Sequence, residues 1–197
     1  MNHAAQPLPP EEDLRILREM LVPEMILEPF TGPDGKAWLR LTDPDNPRSC
    51  VTITDLLPHT LAFKSDAFTT PARCFQSSRG EAKRADYILI SAGEKERWVI
   101  FIEIKGSTRS AYTTAICNQL RGSRCFFEYV RIIGRAFWET PEFLEEYHER
   151  YVVFPRASRQ TKRELPGCRI AGSVLHNTPE QVRRIMESMG IRFRKLV

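Results

Sequence analysis

The sequence predicts an α/β fold: a central mixed sheet built around one β-hairpin and flanked by helices. Three observations predict it. Residues 87–90 and 98–104 are rich in β-branched and aromatic residues, and Ser91-Ala-Gly-Glu-Lys-Glu-Arg97 between them reads as a hairpin turn. The 98–104 run is apolar at alternate positions on both faces, which is the pattern of a central strand covered on both sides. Residues 111–131 then repeat apolar side chains at helical spacing, with Ile116, Leu120, Phe127 and Val130 on one face.

The remaining elements follow in order along the chain. Residues 1–10 are polar and Pro-rich and read as a loose terminus. A helix is expected over 11–21, where Leu14, Leu17 and Leu21 form an apolar stripe beside Ile16 and Met20. Thr31-Gly-Pro-Asp-Gly35 is turn chemistry, and strands are expected at 37–41 and 50–54 across Asp43-Pro-Asp-Asn-Pro47. Residues 58–80 carry Pro58, Pro71, Ser77, Ser78 and Gly80 and read as loop with short structure that the pattern does not define. A helix over 140–149 is expected from Thr140-Pro141-Glu142, an N-cap followed by proline. A short strand covers 151–155. A helix over 179–189 opens at Thr178-Pro-Glu-Gln181 with capping-box spacing and closes at Gly190. A last strand over 191–197 places Arg192 and Arg194 on one face.

Composition excludes several classes. Among 197 residues, 42% are hydrophobic and 27% charged, ordinary values for a chain that folds around a core. No apolar run approaches the roughly 20 residues that span a bilayer, and the first residues lack the basic-then-apolar order of a secretory signal. A cytoplasmic protein without membrane contact is expected. The five cysteines include no CxxC pair and no Cys/His cluster, so reduced thiols are expected rather than zinc or a disulfide framework. Cys117 and Cys125 read as core residues of the 111–131 helix. His176-Asn177 has no second histidine nearby to make a metal site.

The net charge of +4 conceals a division. Residues 1–60 hold 5 Lys and Arg against 10 Asp and Glu; residues 61–197 hold 24 against 15. Cations gathered in one segment suit a polyphosphate partner, because Lys and Arg displace its condensed counterions.

The candidate chemistry lies in the hairpin. Side chains alternate along a strand, so Val99, Phe101, Glu103 and Lys105 share one side while Ile100, Ile102 and Ile104 fill the other. A turn centred near Glu94 puts Asp86 opposite residue 102 or 103. Directly opposed residues have Cβ atoms about 5 Å apart, and two carboxylates that close repel unless a cation separates them or one is protonated. Mg²⁺, or Mn²⁺ in its place, held by one or two carboxylates plus water and substrate phosphate, resolves that conflict. Lys105 then stands where it can hold the attacking water or steady charge on phosphorus.

This arrangement, over about residues 81–131, resembles the PD-(D/E)XK nuclease superfamily. The resemblance implies a restriction-endonuclease-like core and a Mg²⁺-dependent endo- or exodeoxyribonuclease. By it Asp86 is the motif's aspartate, Glu103 its second acid and Lys105 its lysine, with Gln119 of the following helix supporting the site. Ala85 stands where the name-giving proline would be. The family's additional acidic residue on the first helix has Glu11, Glu12 and Glu19 as candidates here.

The chain therefore divides, on sequence grounds, into an acidic α/β extension over 1–70 and a nuclease core over 71–197 within one compact unit. Arg121 and Arg124 on the helix and Arg156, Arg159, Lys162 and Arg163 in the loop after strand 151–155 are the expected contacts to nucleic acid, with DNA favoured. The acidic extension offers a surface to a partner protein or to a second copy in a homodimer. Two other readings of the same residues remain: a nucleic-acid-binding module without turnover, and an interaction protein working through its acidic part.

Overall fold

The structure, a computed structural model, describes residues 7–68, 75–105, 112–155, 176–185 and 190–197. Helix α1 (Pro10–Met20) leads into the short strands β1 (Ile26–Leu27) and β2 (Phe30–Thr31). Strands β3 (Ala37–Asp43), β4 (Asn46–Thr54) and β5 (His59–Lys64) precede the hairpin β6 (Tyr87–Ala92) and β7 (Arg97–Lys105). Helix α2 (Tyr112–Phe137) and strands β8 (His148–Pro155), β9 (Arg183–Arg184) and β10 (Ile191–Arg192) follow. No helix of the described residues is long and apolar enough to cross a membrane.

The strands form two mixed sheets. One has the order β1-β5-β6-β7-β8-β9, antiparallel from β1 to β7 and parallel from β7 to β9. The other has the order β10-β4-β3-β2, with β10 parallel to β4. Parallel neighbours need a long crossover, and α2 supplies it between β7 and β8. Strands from either side of residue 70 build both sheets, since β1 and β5 flank the hairpin and β10 closes the smaller one.

Strand β7 is apolar on both faces because both are covered. Val99 and Phe101 meet Leu14, Leu17, Leu120 and Phe127 of the two helices. Ile100, Ile102 and Ile104 meet Leu39, Leu41, Val51 and Ile53 of the smaller sheet. Each such side chain taken from water contributes about 1.5–3 kcal/mol, which fixes the register of the central strand more firmly than its hydrogen bonds do. Pro10 at the first position and Glu11, Glu12 and Asp13 in the first turn suit the start of α1.

Three expected elements differ. The helix over 140–149 is absent: residues 141–146 form turns, and β8 begins at His148. Glu139, Leu144 and Glu146 have φ of 53°, 54° and 62°, a conformation that no α-helix accommodates. Two contacts hold that path: fully buried Phe143 packs against Gly134, and the Asp13 carboxylate accepts the Leu144 N–H at 2.9 Å. The helix expected over 179–189 is also not formed in its described part. Gln181 N–H bonds to Thr178 O in a turn, and β9 then pairs with the free edge of β8, where Ile185 N–H reaches Val153 O at 3.0 Å. That edge offers backbone partners and places Val182 and Ile185 in the core, which outweighs local helix preference. The last strand stops at Arg192 and gives way to a 3₁₀ turn, Phe193–Lys195. Its threefold spacing lets both Phe193 and Leu196 be buried, which strand alternation would not.

Candidate active site

Asp86 sits just before β6, where the chain is held by an unusual set of bonds. The Ser123 hydroxyl on α2 accepts the Ala85 N–H at 2.7 Å and lies 2.5 Å from the Ser65 hydroxyl. Ser65 in turn donates to Ala85 O at 2.7 Å, and its N–H donates to Asp86 O. Both hydroxyls are fully buried. Gly122 is what permits this approach, since a Cβ there would lie 1.8 Å from Lys83 O.

Across the hairpin, Tyr87 pairs with Ile102, which places Asp86 opposite Glu103, one of the two positions the sequence allowed. Asp86 Oδ2 accepts the Ile104 N–H at 2.6 Å. Glu103 is fully buried and pairs with the ammonium of Lys105 two residues on. Neither Glu103 oxygen receives a hydrogen bond of ordinary geometry despite that contact. Gln119 lies on the same side, where its amide favours the charged Glu103 and donates to Arg84 O at 3.3 Å. The four residues Asp86, Glu103, Lys105 and Gln119 are thus brought together.

Electrostatics match the geometry. Burial raises the Asp86 pKa well above the ordinary carboxylate range, and the charge of Glu103 raises it further. Burial likewise raises Glu103, opposed by Lys105. Burial lowers the Lys105 pKa, but Glu103 and Asp86 outweigh it and hold the ammonium charged. At neutral pH the pair of acids therefore requires a shared proton or a cation between them.

A cleft of about 450 Å³ opens over Asp86, Lys105 and Gln119, with Glu103 buried behind them, and is lined also by Arg84, Asp66, Asp43 and Asp45. The smaller sheet supplies its acidic wall. Tyr87 donates to Thr42 O at 2.5 Å and so ties the β3–β4 turn beside the site. Asp43 is occupied in that turn, accepting the N–H groups of Asp45 and Asn46. Asp66 and Arg84 went unread in the sequence. Asp66 follows a strand that the loop-like composition of 58–80 hid, and Arg84 two residues before Asp86 carries no distinguishing pattern.

The two carboxylates suit a divalent cation. Two opposed buried acids that both resist ionisation, with Lys105 facing Glu103 alone as its ion-pair partner, are what a bound ion would relieve. Among the described residues no three His, Cys, Asp or Glu side chains converge on one point, so water and substrate would complete the coordination.

Several expected residues lie elsewhere. Glu12 and Glu19 pair with Arg15 on the α1 surface, and Glu19 also accepts from Trp138. Glu11 lies near His59, which pairs with Ala92 at the far end of the hairpin from Asp86. None of the three pairs with a residue of the site: Glu11 and Glu12 belong to the first turn of α1, and Glu19, in its last turn, is held by Arg15 and Trp138. Arg121 pairs with Glu180 and Arg124 with Glu149, both in half-exposed contacts. Arg156, Arg159, Lys162 and Arg163 lie outside the described residues. His176 is buried with Nε2 2.6 Å from Leu196 O, a structural position. Cys125 is exposed and Cys117 only partly buried, so neither is a core residue.

No protein-family model matches this chain, and neither does any curated protein or solved structure.

Proposed function

We propose that the chain is a metal-dependent nuclease that hydrolyses phosphodiester bonds of nucleic acid, DNA in preference to RNA. The observation that carries this reading is the opposition of two buried carboxyls, Asp86 and Glu103, beside the Lys105 ammonium in an open cleft. The order of elements around them supports it. The succession α1, β5, β6, β7, α2, β8, with β5 to β7 antiparallel and β8 parallel to β7, supports the reading of a restriction-endonuclease-like core.

Asp86 and Glu103 would hold Mg²⁺ or Mn²⁺, which supplies a Lewis acid for the phosphoryl oxygen and lowers the pKa of water. Lys105 orients the attacking water and offsets charge on the phosphorus oxygens as the water oxygen bonds to phosphorus. The ester P–O bond breaks; the attacking water gives its proton to solvent water in the cleft, and the leaving alkoxide takes one from it. Gln119 keeps Glu103 and the Arg84 backbone in register, so that the nucleophile and the acids share one geometry.

The test is incubation with linear, circular, single-stranded and branched DNA, and with RNA, in Mg²⁺ or Mn²⁺. Cleavage is expected in wild type and absent in Asp86→Asn, Glu103→Gln and Lys105→Ala. Equal cutting by all three variants places the chemistry elsewhere. Binding without cleavage by wild type in either metal favours the passive binding module.

A further inference from the structure

Arg84 lines the same cleft but does a different job from the four residues beside it. Its Nη1 donates to Glu81 O at 2.8 Å and to Lys83 O at 2.7 Å. The guanidinium lies over the Phe68 ring, 5.7 Å from its centroid, and Phe68 stacks on Phe126 of α2. Its position depends on Gly122 as well, since a Cβ there would come 2.8 Å from Nη1. The side chain is therefore ordered before any ligand arrives. Among the described residues it forms no ion pair; Nε is buried with no acceptor, and Nη2 makes no hydrogen bond.

A guanidinium held this way carries an uncompensated cost. Among the described residues no carboxylate pairs with it, and the buried Nε has no acceptor. Capping two carbonyls accounts for Nη1 and leaves the other nitrogens unexplained. With Nη1 occupied and Nε buried, Nη2 is the donor left for a ligand in the cleft, and a guanidinium N–H suits a phosphate oxygen. Arg121 and Arg124, which the sequence singled out for this task, are already paired with glutamates.

We propose that Arg84 is the phosphate anchor of the cleft, binding a substrate phosphate adjacent to the one that is cut. This rests on the nuclease reading of the same cleft. The adjacent rather than the scissile phosphate is assigned because the guanidinium is held over Phe68 and against the Glu81 and Lys83 carbonyls, and makes no hydrogen bond or ion pair with Asp86, Glu103 or Lys105. The link to the centre is mechanical, through the Gln119 amide on Arg84 O.

The experiment measures binding separately from cleavage. A labelled single-stranded DNA oligonucleotide is titrated with protein in Ca²⁺ across a salt series, using wild type, Arg84→Gln and Arg84→Lys, with a thermal melt of each. Arg84→Gln should bind about tenfold or more weakly, the loss of charge-assisted bonds. Its log–log salt slope should be shallower by about 0.7, one phosphate of a single strand. Arg84→Lys keeps the charge and the stem over Phe68, so it should keep the wild-type slope while losing affinity. A merely structural role would lower melting temperature without changing the slope. Wild-type affinity and slope in both variants overturn the proposal, even if wild type cleaves DNA in Mg²⁺. So does a wild type that binds no oligonucleotide. A slope that falls in Arg84→Gln upholds it even where wild type cuts nothing, and then only the nuclease reading fails.

Discussion

Replacing Gly122 by alanine puts a methyl group where the backbone before Asp86 now passes. The added Cβ would lie 1.8 Å from Lys83 O, and ordinary contact begins at 3.4 Å, so α2 and the 83–86 segment must separate by about 1.6 Å. Glycine within a helix ordinarily costs about 0.5–1 kcal/mol relative to alanine, so without this contact the change would stabilise the protein. Overpacking of this kind costs about 1–3 kcal/mol. For a chain of this size that is a fall in melting temperature of about 3–10 °C. The same separation stretches the Ser123–Ala85 and Ser65–Ala85 bonds and shifts Asp86 against Glu103. A displacement near 1 Å at reacting groups lowers rate by about 100-fold. Gly134→Ala is the control, because its Cβ would meet the buried Phe143 ring at 2.2 Å, outside the cleft. Both variants should melt lower, and only Gly122→Ala should lose kcat out of proportion. Differential scanning calorimetry and single-turnover cleavage read the two arms. A Gly122→Ala protein that melts at or above wild type would refute the close approach, and with it the account of how Asp86 is held.

Two further outcomes follow from buried acids. Mg²⁺ or Mn²⁺ should raise the melting temperature with concentration as linkage requires. At a hundredfold excess over Kd the gain is about 2.7 kcal/mol, or about 5–10 °C. It should vanish in Asp86→Asn, and a wild type indifferent to millimolar cation sinks the metal assignment. Asp13, fully buried at the start of α1, has its pKa raised from 3.8 to about 6 by burial, against the opposing bonds from Leu144 N–H and Tyr147. Because the folded value lies above the unfolded one, its contribution is present in full below pH 4 and is lost as pH rises through 6. The decline is at most about 3 kcal/mol. Asp13→Asn should flatten the stability–pH curve across that window relative to wild type, measured by urea unfolding; parallel curves would contradict the assigned burial.

Local pattern carried the hairpin, its register to within one residue, and the first and second helices, because there the apolar period and the tertiary environment agree. Strand β7 needs two apolar faces wherever it sits centrally, so its alternation announced both its position and the side that bears Glu103 and Lys105. Pattern was misleading where a local preference was overruled. Residues 140–149 begin like a helix, yet a buried carboxylate far away at Asp13 and a gap at Gly134 hold them in turns. Thr178 to Gln181 has a helix-opening spacing, yet the open edge of β8 takes the chain into a strand.

By itself the sequence determined which residues could form a cation site, since Asp86 and Glu103 meet through one tight turn and strand geometry leaves little freedom. Only the tertiary structure decided what surrounds them. The acidic wall of the β3–β4 turn, Asp66 at the end of β5 and the Ser65–Ser123 bonds come from segments distant in the chain. Their approach depends on a missing side chain at Gly122 and on the packing of a second sheet. Neither contact leaves a periodic trace, because steric fit between remote segments is set by shape rather than by the spacing of residue types.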